Sequence, residues 1–150
     1  FRMPHRLLAD QRVFRMNRAR RTGSLLVDTS GSMGLDQADV ERIVKAVPAA
    51  VIGIYSGRGT DKGELRVIAK WGKLVVSSDE YIPYGGGNGV DGPALKWLAL
   101  QPRPRVWISD GEVTGVGDVS CLRHYAECAD TCDRYRIFRV DSLKRARRYL

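Results

Sequence analysis

The chain is 150 residues long, 43% hydrophobic and formally +8 at pH 7. Those figures fit one globular domain with an ordinary core, and no apolar run approaches the roughly 20 residues that a membrane-spanning helix needs. Three cysteines suit a reducing compartment rather than a disulfide scaffold, so an intracellular, cytoplasmic protein is expected.

Residues 1–22 hold seven arginines against Asp10 and lack a clean apolar period. They read as a basic arm or linker rather than a signal peptide, and the start at Phe1 instead of Met reads as a piece of a longer or processed chain. The domain proper is expected over 23–150. Leu25-Leu26-Val27 predicts a first strand over 24–28, apolar on both faces as a central parallel strand is. Val40, Ile43, Val44 and Val47 follow helical spacing and predict a helix over about 36–47, stopped by Pro48.

Ala50–Tyr55 is a second all-apolar strand. In Glu64–Trp71, Leu65, Val67, Ala69 and Trp71 alternate with Arg66, Ile68 and Lys70, which predicts a half-exposed antiparallel edge strand, with a short strand over 73–76 beside it. The glycine-rich loop 81–93 leads into a helix from Pro93 to about Leu100, Pro being favoured at the first helical position. Arg105–Ser109 is a third buried strand ending in Asp110-Gly111, followed by a helix over about 118–132, a strand over 136–140 and a short helix from Ser142. Seven basic residues stand in 134–150 against Asp141, so the two ends carry the positive charge and the stretch between them is mildly acidic.

Strands alternating with helices, most of them apolar throughout, predict an α/β fold: a doubly wound, mostly parallel open sheet with an antiparallel edge strand. In such sheets the ligand site lies beyond the carboxyl ends of the strands, where the strand order reverses. The unusual polar residues fall at those ends: Asp28-Thr29-Ser30-Gly31-Ser32, then Asn88 and Asp91, then Ser109-Asp110-Gly111-Glu112. Ser30 and Ser32 are two apart on a tight turn eased by Gly31, so both hydroxyls can face one crevice, and Asp28 and Asp110 add formal charge.

Asp28-x-Ser30-x-Ser32, the loop Gly85-Gly86-Gly87 running into a helix, and Ile108-Ser109-Asp110-Gly111-Glu112 occur in that order within residues 23–141. Together they resemble the three site loops of the von Willebrand factor A (vWA) domain family. The resemblance implies a Rossmann-like vWA fold with a metal-ion-dependent adhesion site holding Mg²⁺ (or Mn²⁺), a hard cation that takes about six oxygens. It implies Ser30 and Ser32 as hydroxyl ligands, with Asp28 and Asp110 acting largely through metal-bound water. It also implies a non-catalytic protein-interaction module in a larger protein or complex, in which an acidic side chain of the partner completes the metal shell. Intracellular relatives often work beside AAA+ ATPases, so such a partner is implied by resemblance alone. The family usually places Thr after the glycines. Here Asn88 stands at that offset, with Asp91 beyond an apparent two-residue insertion. Asn88 is the favoured ligand and Asp91 the expected cap of the following helix; direct ligation by Asp91 is the alternative. The family's helix between the edge strand and this loop is also missing, which implies a trimmed domain.

Competing readings are plainer. Residues 28–32 could be a strand-to-helix turn capped by Ser30 or Ser32. The glycine loop precedes a helix as a phosphate-binding loop does, but no Lys-Ser/Thr follows it. Cys121, Cys128 and Cys132 share one helical face with Leu122, Tyr125 and Ala129 and match no zinc spacing, so they are expected in the core. His5 and His124 are expected far from the strand-end loops, which leaves Ser30 and Ser32 without a general base and argues against an enzyme. The second functional reading is an RNA-binding component, with the domain as scaffold. Its contacts would be the basic ends, Arg15, Arg18, Arg20 and Arg21 with Arg145, Arg147 and Arg148, brought together on the side away from Asp28. Ro-type RNA-binding proteins, which also carry a vWA domain, offer the analogy.

Overall fold

A computed structural model describes residues 23–47, 49, 51–56, 63–76, 90–115 and 121–150. The expected arm, the glycine loop with Asn88, and Arg15, Arg18, Arg20 and Arg21 lie outside these residues. Leu25, Leu26 and Val27 are wholly buried in β1 (Ser24–Asp28), which pairs in parallel with β2 (Val51–Ser56) on one side and β5 (Arg105–Ile108) on the other. Burying such side chains contributes about 1.5–3 kcal/mol each, and only a central strand covered on both faces can bury them all.

Beyond β2 lie the antiparallel β3 (Glu64–Lys70) and then β4 (Lys73–Leu74); beyond β5 lies the parallel β6 (Ile137–Val140). The sheet order is β4-β3-β2-β1-β5-β6, so the chain leaves β1 first to one side and later to the other. The reversal falls between β1 and β5. The helices α1 (Gln37–Ala46) and α4 (Leu143–Ala146) join the apolar cluster of Leu25, Val27, Ile52 and Ile54 on one face. On the opposite face α2 (Asp91–Ala99) and α3 (Leu122–Tyr135) pack with Leu26, Tyr55 and Trp107. The fold is therefore α/β, with a mostly parallel six-stranded sheet, an antiparallel edge and helices on both faces. Among the described residues no helix is long and apolar enough to cross a membrane.

The boundary of α1 is set by side chains. Asp36 accepts from the Asp39 N–H at 2.8 Å while Asp39 accepts from the Asp36 N–H at 3.3 Å, a reciprocal cap that satisfies two orphan donors. Three sequence expectations shift. In β3, Ile68 and Ala69 are both buried rather than alternating, because the register slips between Ile52 and Gly53 and leaves Ile68 as an extra residue opposite β2. A bulge of this kind turns two successive side chains toward one face. Trp71, expected on the buried side, sits in the following turn at φ 54° and is exposed. In α3, Cys128 is buried and Cys121 and Cys132 half-buried, but Leu122, Tyr125 and Ala129 face outward. This helix packs at the end of the sheet, against α2 and β6, so only a narrow stripe is covered.

Candidate metal centre

Asp28 ends β1 at the switch point, and it is 2% exposed. One carboxylate oxygen, Oδ1, accepts from the Ser30 N–H at 2.9 Å, an Asx turn that curls the chain back toward the sheet. The other, Oδ2, accepts from the Ser109 hydroxyl at 3.2 Å. The Ser30 and Ser32 hydroxyls lie 3.1 Å apart, as their spacing across Gly31 predicts. Thr29 faces the other way: its N–H and hydroxyl both donate to the Tyr55 carbonyl, at 2.9 and 2.8 Å, tying the loop to β2.

Asp110 begins the loop after β5 and is exposed, its Oδ1 accepting from the Glu112 N–H at 2.9 Å. The Ser109 hydroxyl accepts from the Gly111 N–H at 3.1 Å, so one buried serine links Asp28 to this loop. Gly111 has φ +89°, and the Arg139 guanidinium fills the space a β-carbon would need. Arg139 also donates to the Asp110 carbonyl at 3.1 Å and holds the loop from the neighbouring strand.

Burial pushes the Asp28 carboxyl up, the Ser30 and Ser109 donors pull it back, and the nearby Asp110 charge raises it further. Two acidic side chains thus stand close enough to repel, in company with hydroxyls. Among the described residues no group of three or more His, Cys, Asp or Glu side chains is placed to hold a metal ion. The oxygen set at the strand ends is of another kind: carboxylates of Asp28 and Asp110 with the hydroxyls of Ser30, Ser32 and Ser109.

Asp91 does not cap the helix it opens, contrary to the cap expected of it. Val90 occupies the N-cap position of α2 and no side chain caps the helix, which starts at Asp91 so that Pro93 falls third rather than first. The Asp91 carboxylate, in a residue 1% exposed, accepts from the Tyr55 hydroxyl at 2.5 Å and from the Thr114 N–H at 2.9 Å. Tyr55 in turn accepts from the Trp107 indole N–H at 3.0 Å. Asp91 is therefore a buried pin joining α2, β2 and the loop after β5, with both oxygens engaged by donors. Burial pushes its pKa to about 6, the Tyr55 and Thr114 donors opposing and the Asp28 and Asp110 charges adding to the rise. The same environment holds the Tyr55 hydroxyl well above its ordinary value.

Of the residues expected in the site, Asp28, Ser30, Ser32 and Asp110 come to one end of the sheet around the switch point. Tyr55, Trp107, Thr114 and Arg139 are additions that the sequence does not announce, and Ser109, read only as part of the third loop, proves to be a direct partner of Asp28. The available signal is modest: Tyr55 and Trp107 are polar-tipped residues in otherwise aliphatic strands, and Ser109 precedes the Asp-Gly turn. His124, expected far from these loops, lies against Gly115 in the third loop. Comparison of the chain with models of known protein families, with curated proteins and with solved structures gives no match.

Proposed function

We propose that this chain is a non-catalytic, divalent-cation-dependent protein-interaction module of the vWA type, working within a larger intracellular protein or complex. The observation that carries the reading is the Asp28 carboxylate. It is buried at the topological switch point, and among the described residues it accepts hydrogen bonds from Ser30 and Ser109 and is paired with no basic side chain.

The residues fit a hard cation. Oxygen donors of mixed charge suit Mg²⁺ or Mn²⁺, and direct ligation by neutral hydroxyls, with the carboxylates acting through metal-bound water, would leave such an ion electron-poor. When bound, the ion supplies a coordination position for a carboxylate from a partner protein. Asp28, Ser30, Ser32 and Asp110 would hold it, with Asn88 from the second loop. Asp28 contributes charge from a fixed position, because Ser30 and Ser109 restrain both of its oxygens. The Ser30 and Ser32 hydroxyls lie 3.1 Å apart at the end of β1, and two oxygens so placed suit ligation of a single ion. Asp91, already engaged by Tyr55 and Thr114, adds no charge to the ion directly, and this preserves attraction for an external acid.

Peptide selection tests the partner chemistry. Random peptides displayed on phage and selected on the folded chain in millimolar Mg²⁺ should be enriched in Asp or Glu and should elute with EDTA. Binders that lack an acid, or that survive EDTA, contradict the carboxylate mechanism.

A further inference from the structure

We propose that the β6 edge of the sheet is a platform for a single-stranded nucleic acid, with Phe138 and Tyr149 stacking on bases and Arg136, Arg147 and Arg148 meeting phosphates. Phe138 lies on the edge strand and Tyr149 just after α4, and their rings stack with centroids 4.6 Å apart and planes 19° from parallel. Each remains 43% exposed. Single exposed apolar residues are ordinary, but a preformed, solvent-facing aromatic stack beside cations is the arrangement that binds unpaired bases.

The cations around it are of two kinds. Arg134 and Arg145 are neutralised by Asp130 and Asp141 at 2.8 Å in each case. Arg136, Lys144, Arg147 and Arg148 are exposed and form no ion pair among the described residues. Of the three C-terminal arginines expected to form a patch, Arg145 is therefore occupied, while Arg147 and Arg148 are open.

The open charge of Arg136, Arg147 and Arg148 selects a polyanion, and the aromatic pair selects one with exposed π-faces. A duplex offers only its phosphates to such an edge, and an acidic protein surface offers no bases. The platform lies toward the amino end of the parallel strands, since Phe138 pairs with Val106 and Asp28 lies at the carboxyl end, so it operates independently of the proposed cation site.

Fluorescence anisotropy with the full 150-residue chain tests this, using labelled 12-mer oligouridylate, a duplex of equal charge and a poly-glutamate peptide. Oligouridylate should bind most tightly of the three. Tyr149→Ala should weaken it by at least about fivefold, the lower end of the effect of one base–aromatic stack, whereas Tyr149→Trp should preserve it. Arg147→Gln with Arg148→Gln should reduce the slope of log K against log salt by about 1.4. Equal binding of duplex and single strand with no loss in Tyr149→Ala or Phe138→Ala would reduce the surface to general charge attraction and overturn the proposal. Tighter binding of poly-glutamate, or no binding of oligouridylate at low salt, overturns it as well.

Discussion

Replacing Asp91 by Asn isolates the energetic burden that a buried carboxylate places on this fold. In the native state its pKa is about 6, against 3.8 for an ordinary aspartate, and burial is the leading cause. The native state therefore keeps a proton through a pH range in which the unfolded chain has released it. The sign follows: the stability this group contributes is complete below about pH 4 and is lost as the pH rises through about 6. A shift of this size corresponds to about 3 kcal/mol by pH 7.5. The substituted amide would carry no charge, and its single oxygen can accept from the Thr114 N–H or from the Tyr55 hydroxyl but not replace both carboxylate oxygens, a cost that does not vary with pH. Urea denaturation of both proteins in EDTA between pH 4 and 7.5 reads the difference. The stability of Asp91→Asn relative to the parent should rise by about 2–3 kcal/mol over that range, whatever its starting value. Parallel curves for the two proteins would show that Asp91 ionises alike in the folded and unfolded chain.

Three more outcomes follow from particular contacts. Ser109→Ala removes a donor to Asp28 and the acceptor for the Gly111 N–H, and should cost about 1–3 kcal/mol in urea denaturation; unchanged stability would show that the link is immaterial. Gly53→Ala drives a β-carbon to within 2.7 Å of the Trp97 ring, so it should destabilise by about 1–3 kcal/mol and lower the Tm by several degrees; an unaltered Tm would mean that the ring moves aside freely. Burial raises the Cys128 thiol to about 12 and the Cys132 thiol to about 11. Thiol reagents at pH 8 should therefore label Cys121 first and the other two only on unfolding, and rapid labelling of native Cys128 contradicts its place in the core.

The strand and helix order is legible because burial writes it locally. β1 reads as an aliphatic run since both its faces are covered, and α1 carries its apolar spacing and its Asp36–Asp39 cap within one short segment. The bulge in β3 is not legible: a two-residue period cannot reveal that Ile68 and Ala69 turn to the same side. The face of α3 misleads because its apolar residues outnumber the places available to them, leaving Leu122 88% exposed. At the site, the short-range elements can be read, since Asp28, Ser30 and Ser32 occupy one turn. The pin cannot. Tyr55 and Asp91 are 36 residues apart and Trp107 and Tyr55 are 52 apart, and nothing local distinguishes an aspartate that caps a helix from one that receives a distant tyrosine.

Calorimetric titration of Mg²⁺ and Mn²⁺ into the folded chain measures directly whether the strand-end oxygens bind a divalent cation. Saturable binding to one site per chain is expected, abolished by Asp28→Asn, weakened by Ser30→Ala and by Asn88→Ala, and retained in Asp91→Asn. No heat of binding at millimolar metal, or a titration that Asp28→Asn leaves unchanged, would show that these oxygens hold no cation.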